Sequence, residues 1–137
     1  MKKIITTIMA AIGLCMSCQA DDGIQILSPD EYESAVKSDT TSVILDVRTP
    51  SEYEDGHIDG AVLLDFLNAD AFSEGIDKLD KSKTYYIYCR SGRRSHNAAL
   101  KMKDKGYNVY DMRGGIIAWT AAGKNTVKAE KPINESK

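Results

Sequence analysis

Val43-Ile44-Leu45-Asp46-Val47 is a continuous apolar run broken only at Asp46, and its reading decides the fold. Such a run fits a strand buried on both faces, as in a parallel sheet covered by helices. Thr49-Pro50-Ser51-Glu52 follows and carries a helix-start signature, with a capping hydroxyl, a proline suited to the first turn and a glutamate that closes a capping box. Gly56 ends that short helix. The same pair occurs upstream. Ile24 to Leu27 reads as an edge strand, and Ser28-Pro29-Asp30-Glu31 starts a helix with Tyr32, Ala35 and Val36 at helical spacing. Downstream, Ala61 to Leu64 reads as a strand, and Ala69 to Leu79 as a helix with Phe72, Ile76 and Leu79 on one face. Thr84 to Tyr88 is a further strand. Ser95 to Lys105 is a helix with Ser95, Ala98, Ala99 and Met102 on one face, stopped by Gly106. Val109-Tyr110 is the last strand, Gly114-Gly115 a turn, and Ile116 to Ala121 a short helix ended by Gly123. Strands alternating with helices predict an α/β fold, a parallel-dominated sheet with helices on both sides.

Composition agrees with one such domain. The chain has 137 residues, of which 42% are hydrophobic and 28% charged, so collagen, coiled coil and wholesale disorder are excluded. A net charge of −2 argues against a nucleic-acid partner, which would call for a basic surplus. Three cysteines are too few for a disulfide scaffold. At the N-terminus, Met1-Lys2-Lys3 is basic and Ile4 to Met16 runs thirteen residues without a charge. A bilayer span needs about 20 apolar residues, so residues 1–17 read as an export signal. Leu14-Cys15-Met16-Ser17-Cys18 resembles a loose bacterial lipobox, which would put a lipid on Cys18 and anchor the chain to a membrane of the cell envelope. Two other readings stand beside it: Cys18-Gln19-Ala20 as a cleavage site that releases a periplasmic protein, and a buried N-terminal helix. Residues 18–23 would then be a short linker, 24–124 the domain, and 125–137 a polar tail, frayed beyond Thr126. With Cys18 lipidated, Cys89 has no partner for a disulfide within the exported chain, which suggests a free reactive thiol or an intermolecular bridge.

Chemistry concentrates at Cys89, in Tyr86-Ile87-Tyr88-Cys89-Arg90-Ser91-Gly92-Arg93-Arg94-Ser95. A strand delivers the cysteine to its carboxyl edge, where open α/β sheets place their sites. A short glycine-bearing loop follows, then a helix whose first amides aim back at the loop. Oriented amides at a helix N-terminus favour negative charge. Arg90, Arg93 and Arg94 add fixed cations. The same features favour thiolate over thiol, so the site makes a nucleophile without a dedicated histidine.

The sequence is similar to the rhodanese domain family, in the form of single-domain sulfurtransferases. The likeness covers about residues 24–124 and rests on several motifs in order. These are Leu45-Asp46-Val47-Arg48, Glu52-Tyr53, Gly56-His57-Ile58-Asp59-Gly60-Ala61, Tyr88-Cys89-Arg90-Ser91-Gly92-Arg93-Arg94-Ser95, Gly106-Tyr107-Asn108-Val109 and Gly114-Gly115-Ile116-Ile117-Ala118-Trp119. The resemblance implies a three-layer α/β/α fold on a five-stranded parallel sheet. It implies Cys89 as the carrier of sulfane sulfur, with Arg90, Ser91, Gly92, Arg93 and Arg94 as the loop that binds the substrate. Asp46 and Arg48 become structural supports beneath it. A small anionic donor such as thiosulfate would give its outer sulfur to Cys89, and a thiol, cyanide or a partner protein would take it. No cofactor is implied. Relatives that act as phosphatases have a loop one residue longer, so the six-residue span from Cys89 to Arg94 suits sulfur. One departure is Ala61-Val62-Leu63-Leu64-Asp65-Phe66, which lacks the Asn and Pro common in the family at that point.

Plainer readings exist for each residue. Cys89 could be an inert core thiol. The three arginines cannot all reach the sulfur; Arg94 is the one expected inward. Asp46 interrupts an apolar strand and needs a partner, for which Arg48 is near. His57 follows a helix-ending glycine and orders the turn, and His96 is a weak candidate for a base. Two isolated histidines without a Cys/His cluster argue against a metal site. Trp119 reads as core or pocket rim. Three functions compete: an envelope sulfurtransferase, a low-turnover sulfur carrier or sensor for a partner protein, and a thiol-redox protein. The lack of a Cys-x-x-Cys pair near Cys89 weakens the last.

Overall fold

The computed structural model describes residues 23–129. The expectations for the export signal, for Cys18 and for the end of the tail lie outside that range. Five strands form one all-parallel sheet: β1 (Gln25–Leu27), β2 (Ser42–Asp46), β3 (Val62–Leu63), β4 (Thr84–Tyr88) and β5 (Asn108–Met112), in the order β1-β5-β4-β2-β3. The helices are α1 (Pro29–Ser38), α2 (Pro50–Asp55), α3 (Ala69–Asp77), α4 (Arg93–Asp104) and α5 (Gly115–Ala121). β4 is the middle strand, with Leu45 beside Ile87 on one flank and Asp111 beside Ile87 on the other. The expected α/β/α architecture and five-stranded parallel sheet are therefore present.

Strand alternation sorts the core into two layers. Tyr85, Ile87 and Cys89 of β4 and its exit join Leu45 and Val47 against Phe72 and Ile76 of α3 and Ala98, Ala99 and Met102 of α4. Tyr86 and Tyr88 point the other way, toward Tyr32 of α1 and Ile116 and Trp119 of α5. Ile87 is wholly buried, and burying one such side chain stabilises by about 1.5–3 kcal/mol. Register matters here, because a slip of one residue would move Cys89 to the opposite layer.

Both capping boxes form. Ser28 and Thr49 accept from the amides of Glu31 and Glu52, and each glutamate reaches back to the cap amide. Several boundaries shift by a residue or two from expectation, such as β3, which is Val62–Leu63 rather than Ala61 to Leu64, and two shifts have a clear physical reason. α4 starts at Arg93 rather than Ser95, because Gly92 caps it from a left-handed conformation with φ 111° and no side-chain bond. β5 runs past Tyr110 to Met112, because Asp111 is buried in the sheet despite its charge.

The beginning of the tail is a correction. Residues 127–129, expected to be frayed, are docked. Val127 and His57 exchange two backbone bonds of 2.8 Å, and the Asn125 carbonyl accepts from Trp119 Nε1 at 2.8 Å. Main-chain pairing needs no apolar side chain, so polar composition did not exclude it.

Candidate active site

β4 delivers Cys89 to the floor of the loop Arg90-Ser91-Gly92, which turns directly into α4. Positive φ at Gly92 lets the chain reverse, and the Gly92 amide then donates to Cys89 Sγ at 3.0 Å. The first amides of α4 have no intrahelical acceptor and no side-chain cap, so they supply positive potential at the same place. α5 clamps the loop from behind. Ile116 N–H donates to the Cys89 carbonyl at 2.9 Å, and Ile117 N–H to the Arg90 carbonyl at 3.2 Å. This approach requires glycine at 115: a Cβ there would strike the Arg90 carbonyl and lie 2.6 Å from the Cys89 oxygen.

Cys89 is 1% exposed and belongs to the α3/α4 core layer. Its sulfur thus lies under the loop, with one face on hydrocarbon and one amide aimed at it. Of the predicted cations, Arg94 turns inward. It forks onto Glu52 with bonds of 2.8 and 3.0 Å. Glu52 is the main cause that raises the Arg94 pKa above its ordinary value, and Cys89 adds a smaller electrostatic share, so the guanidinium is within electrostatic reach of the thiol. The same Arg94 hydrogen bond is the largest cause that holds the Glu52 carboxyl down at about 2. Arg90 and Arg93 are exposed and make no side-chain ion pair among the described residues, and Ser91 is exposed beside them. Arg90 borders a depression of about 290 Å³ that it shares with Arg48, Glu52, Asp55 and Ile117.

Asp46 and Arg48 pair with one another at the end of β2. Arg48 Nε and Nη2 meet the two Asp46 oxygens at 2.9 and 2.7 Å, and Nη2 also donates to the Gly56 carbonyl at 2.7 Å. Tyr88 hydroxyl donates to Asp46 Oδ2 at 2.6 Å and accepts from the Ile58 amide at 3.0 Å. Burial works against the Arg48 charge, but Asp46 outweighs it and the guanidinium pKa is raised. Burial, followed by the Asp46 charge, pushes the Tyr88 hydroxyl far above its ordinary value, so it stays a donor.

The histidines take structural places. His57 stacks on Tyr53 with ring centroids 3.7 Å apart, and its Nδ1 lies 2.8 Å from the Tyr53 carbonyl. His96 Nδ1 lies 4.0 Å from Asp111 Oδ2. Asp111 is buried, and its Oδ1 has no hydrogen-bond partner among the described residues. Burial raises its carboxyl to about 6, with Ser95 and His96 pulling the other way. Trp119 is buried, as expected of a core or rim residue. Sequence reasoning missed Glu52 as the Arg94 partner, Gly115 as the close-approach residue, and Asp111. Only the glycine pair left a local signal.

Comparison with known proteins agrees with the fold. The rhodanese-like domain model matches residues 28–122, and the chain belongs to that family. It is 38% identical over 95 residues to a sulfurtransferase of Allochromatium vinosum, a match that covers 68% of this chain and 86% of that protein. It is 34% identical over 108 residues to the Mycobacterium tuberculosis protein named "Probable adenylyltransferase/sulfurtransferase MoeZ", covering 73% of this chain but only 27% of that longer protein. Among solved structures, a rhodanese-related protein of Thermoplasma volcanium superposes with a TM-score of 0.69 at 26% identity, covering 77% of this chain and 99% of that one.

Proposed function

We propose that this chain is a sulfurtransferase that carries sulfane sulfur on Cys89. The observation that carries the reading is the Gly92 amide directed at Cys89 Sγ from a loop that ends in the open N-terminus of α4. A thiolate places its negative charge on Sγ, where that amide points, and a persulfide moves the charge to the outer sulfur one bond away; fixed amides stabilise such charge without reorganising. Sulfurtransferase relatives at 34–38% identity support the same chemistry.

In the first half-reaction the Cys89 thiolate attacks the outer sulfur of thiosulfate or a similar donor. A bond forms from Sγ to that sulfur, the donor's sulfur–sulfur bond breaks, and its electron pair leaves with sulfite. In the second, a thiol, cyanide or protein nucleophile attacks the outer persulfide sulfur. The Sγ–S electron pair returns to Cys89 and restores the thiolate. This is covalent catalysis in two steps. Arg94, held by Glu52, contributes charge close to the sulfur, while Asp46, Arg48 and Tyr88 keep the loop's floor in place.

The test is steady-state transfer from thiosulfate to cyanide by wild type and Cys89→Ser. The reading expects no thiocyanate above background from a folded serine variant; substantial retained activity would overturn it. One observation favours a second reading as a low-turnover sulfur carrier: Cys89 is only 1% exposed. A carrier would load one sulfur per chain and release it slowly without a specific partner. For location, the proposal is a lipid anchor at Cys18 in a bacterial cell envelope, checked by palmitate labelling that vanishes in Cys18→Ala.

A further inference from the structure

The chain has five arginines, Arg48, Arg90, Arg93, Arg94 and Arg113, and all of them lie at the carboxyl edge of the sheet. Arg48 follows β2, Arg90 follows β4, Arg93 and Arg94 open α4, and Arg113 follows β5. The opposite edge carries lysine instead: Lys78, Lys81 and Lys83 between α3 and β4, and Lys101, Lys103 and Lys105 at the end of α4. The two edges therefore differ in the kind of cation as well as in position. Arginine offers a flat, weakly hydrated fork that matches carboxylates, whereas lysine offers a strongly hydrated point charge.

Arg48 and Arg94 are committed to Asp46 and Glu52. Arg90, Arg93 and Arg113 are exposed, and among the described residues none of their side chains has an ion pair or hydrogen bond. Asp55 shares the depression beside Arg90 without pairing to it. The backbones that carry the three are neighbours. Gly92 backs onto the strand exit, since a Cβ there would lie 3.7 Å from the Gly114 amide nitrogen and 4.0 Å from the Met112 oxygen. The Arg90 carbonyl is bonded to Ile117 N–H at 3.2 Å. Three exposed, uncommitted arginines therefore leave the main chain beside the Cys89 loop, Arg90 and Arg93 from the loop and the start of α4, Arg113 from the β5–α5 turn.

One small dianion is met by the loop amides and one cation. Three separated forks suit a partner with several carboxylates. Arginine is also enriched at protein interfaces, where lysine is depleted. Nucleic acid fits less well, because the formal net charge of −2 opposes a long polyanion beyond the patch. We propose that Arg90, Arg93 and Arg113 form a docking surface for a carboxylate-rich face of the protein that exchanges sulfur with Cys89. The inference rests on the sulfur-transfer reading for the purpose of docking, but its binding test does not.

The test measures binding of short poly-L-glutamate to the full chain at low salt, alongside thiosulfate-to-cyanide turnover. Arg113 stands outside the catalytic loop, so Arg113→Glu should leave turnover within about twofold while weakening poly-L-glutamate by about tenfold, or ~1.4 kcal/mol. Arg113→Gln should show a smaller loss in the same direction. Lys103→Glu, at the other edge, should change neither. Equal weakening by Lys103→Glu would show general charge attraction and overturn the proposal. So would unchanged binding in both Arg113 variants, displacement of poly-L-glutamate by equimolar sulfate, or tighter binding of an oligonucleotide than of poly-L-glutamate. Loss of turnover in Cys89→Ser with poly-L-glutamate binding intact is expected. Turnover that survives Cys89→Ser would sink the sulfur chemistry and leave the binding result standing.

Discussion

Replacement of Asp111 by asparagine should make the protein more stable at neutral pH and slightly less stable in acid. Asp111 sits in β5 at 2% exposure, and its Oδ1 lacks a partner among the described residues. His96 from α4, 4.0 Å away, and the Tyr32 hydroxyl of α1 are the titratable groups that interact with it; the strands on either side bring Ile26 and Ile87. Burial is the main cause that lifts the carboxyl from 3.8 to about 6. The native state therefore holds the proton more tightly than the unfolded chain does. Between about pH 4 and about pH 6 the unfolded state is ionised and the native state is not, so stability falls as pH rises. The difference between 3.8 and about 6 corresponds to about 3 kcal/mol, fully present above pH 6. Asparagine removes the charge but brings an amide that must find its own partners, at a cost of about 1 kcal/mol or more. The net expectation is a gain of about 1–2 kcal/mol at neutral pH that shrinks as pH falls and becomes a loss of up to about 1 kcal/mol below pH 4, where only the cost of the amide remains. Urea unfolding of both proteins across that range reads it directly. A variant that is less stable at neutral pH, or a difference that does not change with pH, would show that Asp111 carries no buried-charge penalty.

Gly115→Ala should cost at least ~1–2 kcal/mol from the positive φ alone, and more from the collision with the Arg90 and Cys89 carbonyls. Thermal melts and transfer assays should both show the loss, since the loop itself must move. Glu52→Gln should cost about 1–2 kcal/mol at neutral pH, after allowance for solvent screening of a side chain 27% exposed. Because the Glu52 pKa is depressed from 4.5 to about 2, its stabilisation is complete above pH 5 and disappears as pH falls through 2. Acid titration of wild type and variant by circular dichroism should therefore converge at the acid end. Asp46→Ala leaves Arg48 buried without its counter-charge, and the expected loss is about 3–5 kcal/mol, measurable as a lowered urea midpoint.

Much of the fold was legible because its signals are local. Ser28 with Glu31 and Thr49 with Glu52 mark two helix starts within four residues each, and both boxes form. The buried run before Arg48 announced a parallel strand, and its one charged residue found the partner two positions on. Cys89 at the end of Thr84–Tyr88 could be placed at a carboxyl edge for the same reason. What was not legible depends on contacts between distant parts of the chain. Arg94 and Glu52 are 42 residues apart, so nothing near either one names the other. The tail docks through main-chain groups of Val127 and His57 that every residue possesses. The cap of α4 is a backbone conformation at Gly92 rather than a hydroxyl or carboxylate, which hid the helix's true start. Asp111 gave no sign of burial, because an acidic residue in a short strand reads as solvent-facing by default.

Sulfur transfer through Cys89 is read most simply from the mass of the intact protein after incubation with thiosulfate. The chain should gain one sulfur atom, located on Cys89, removed by cyanide and absent in Cys89→Ser. A wild-type chain that gains no sulfur, or a serine variant that gains as much, would contradict it.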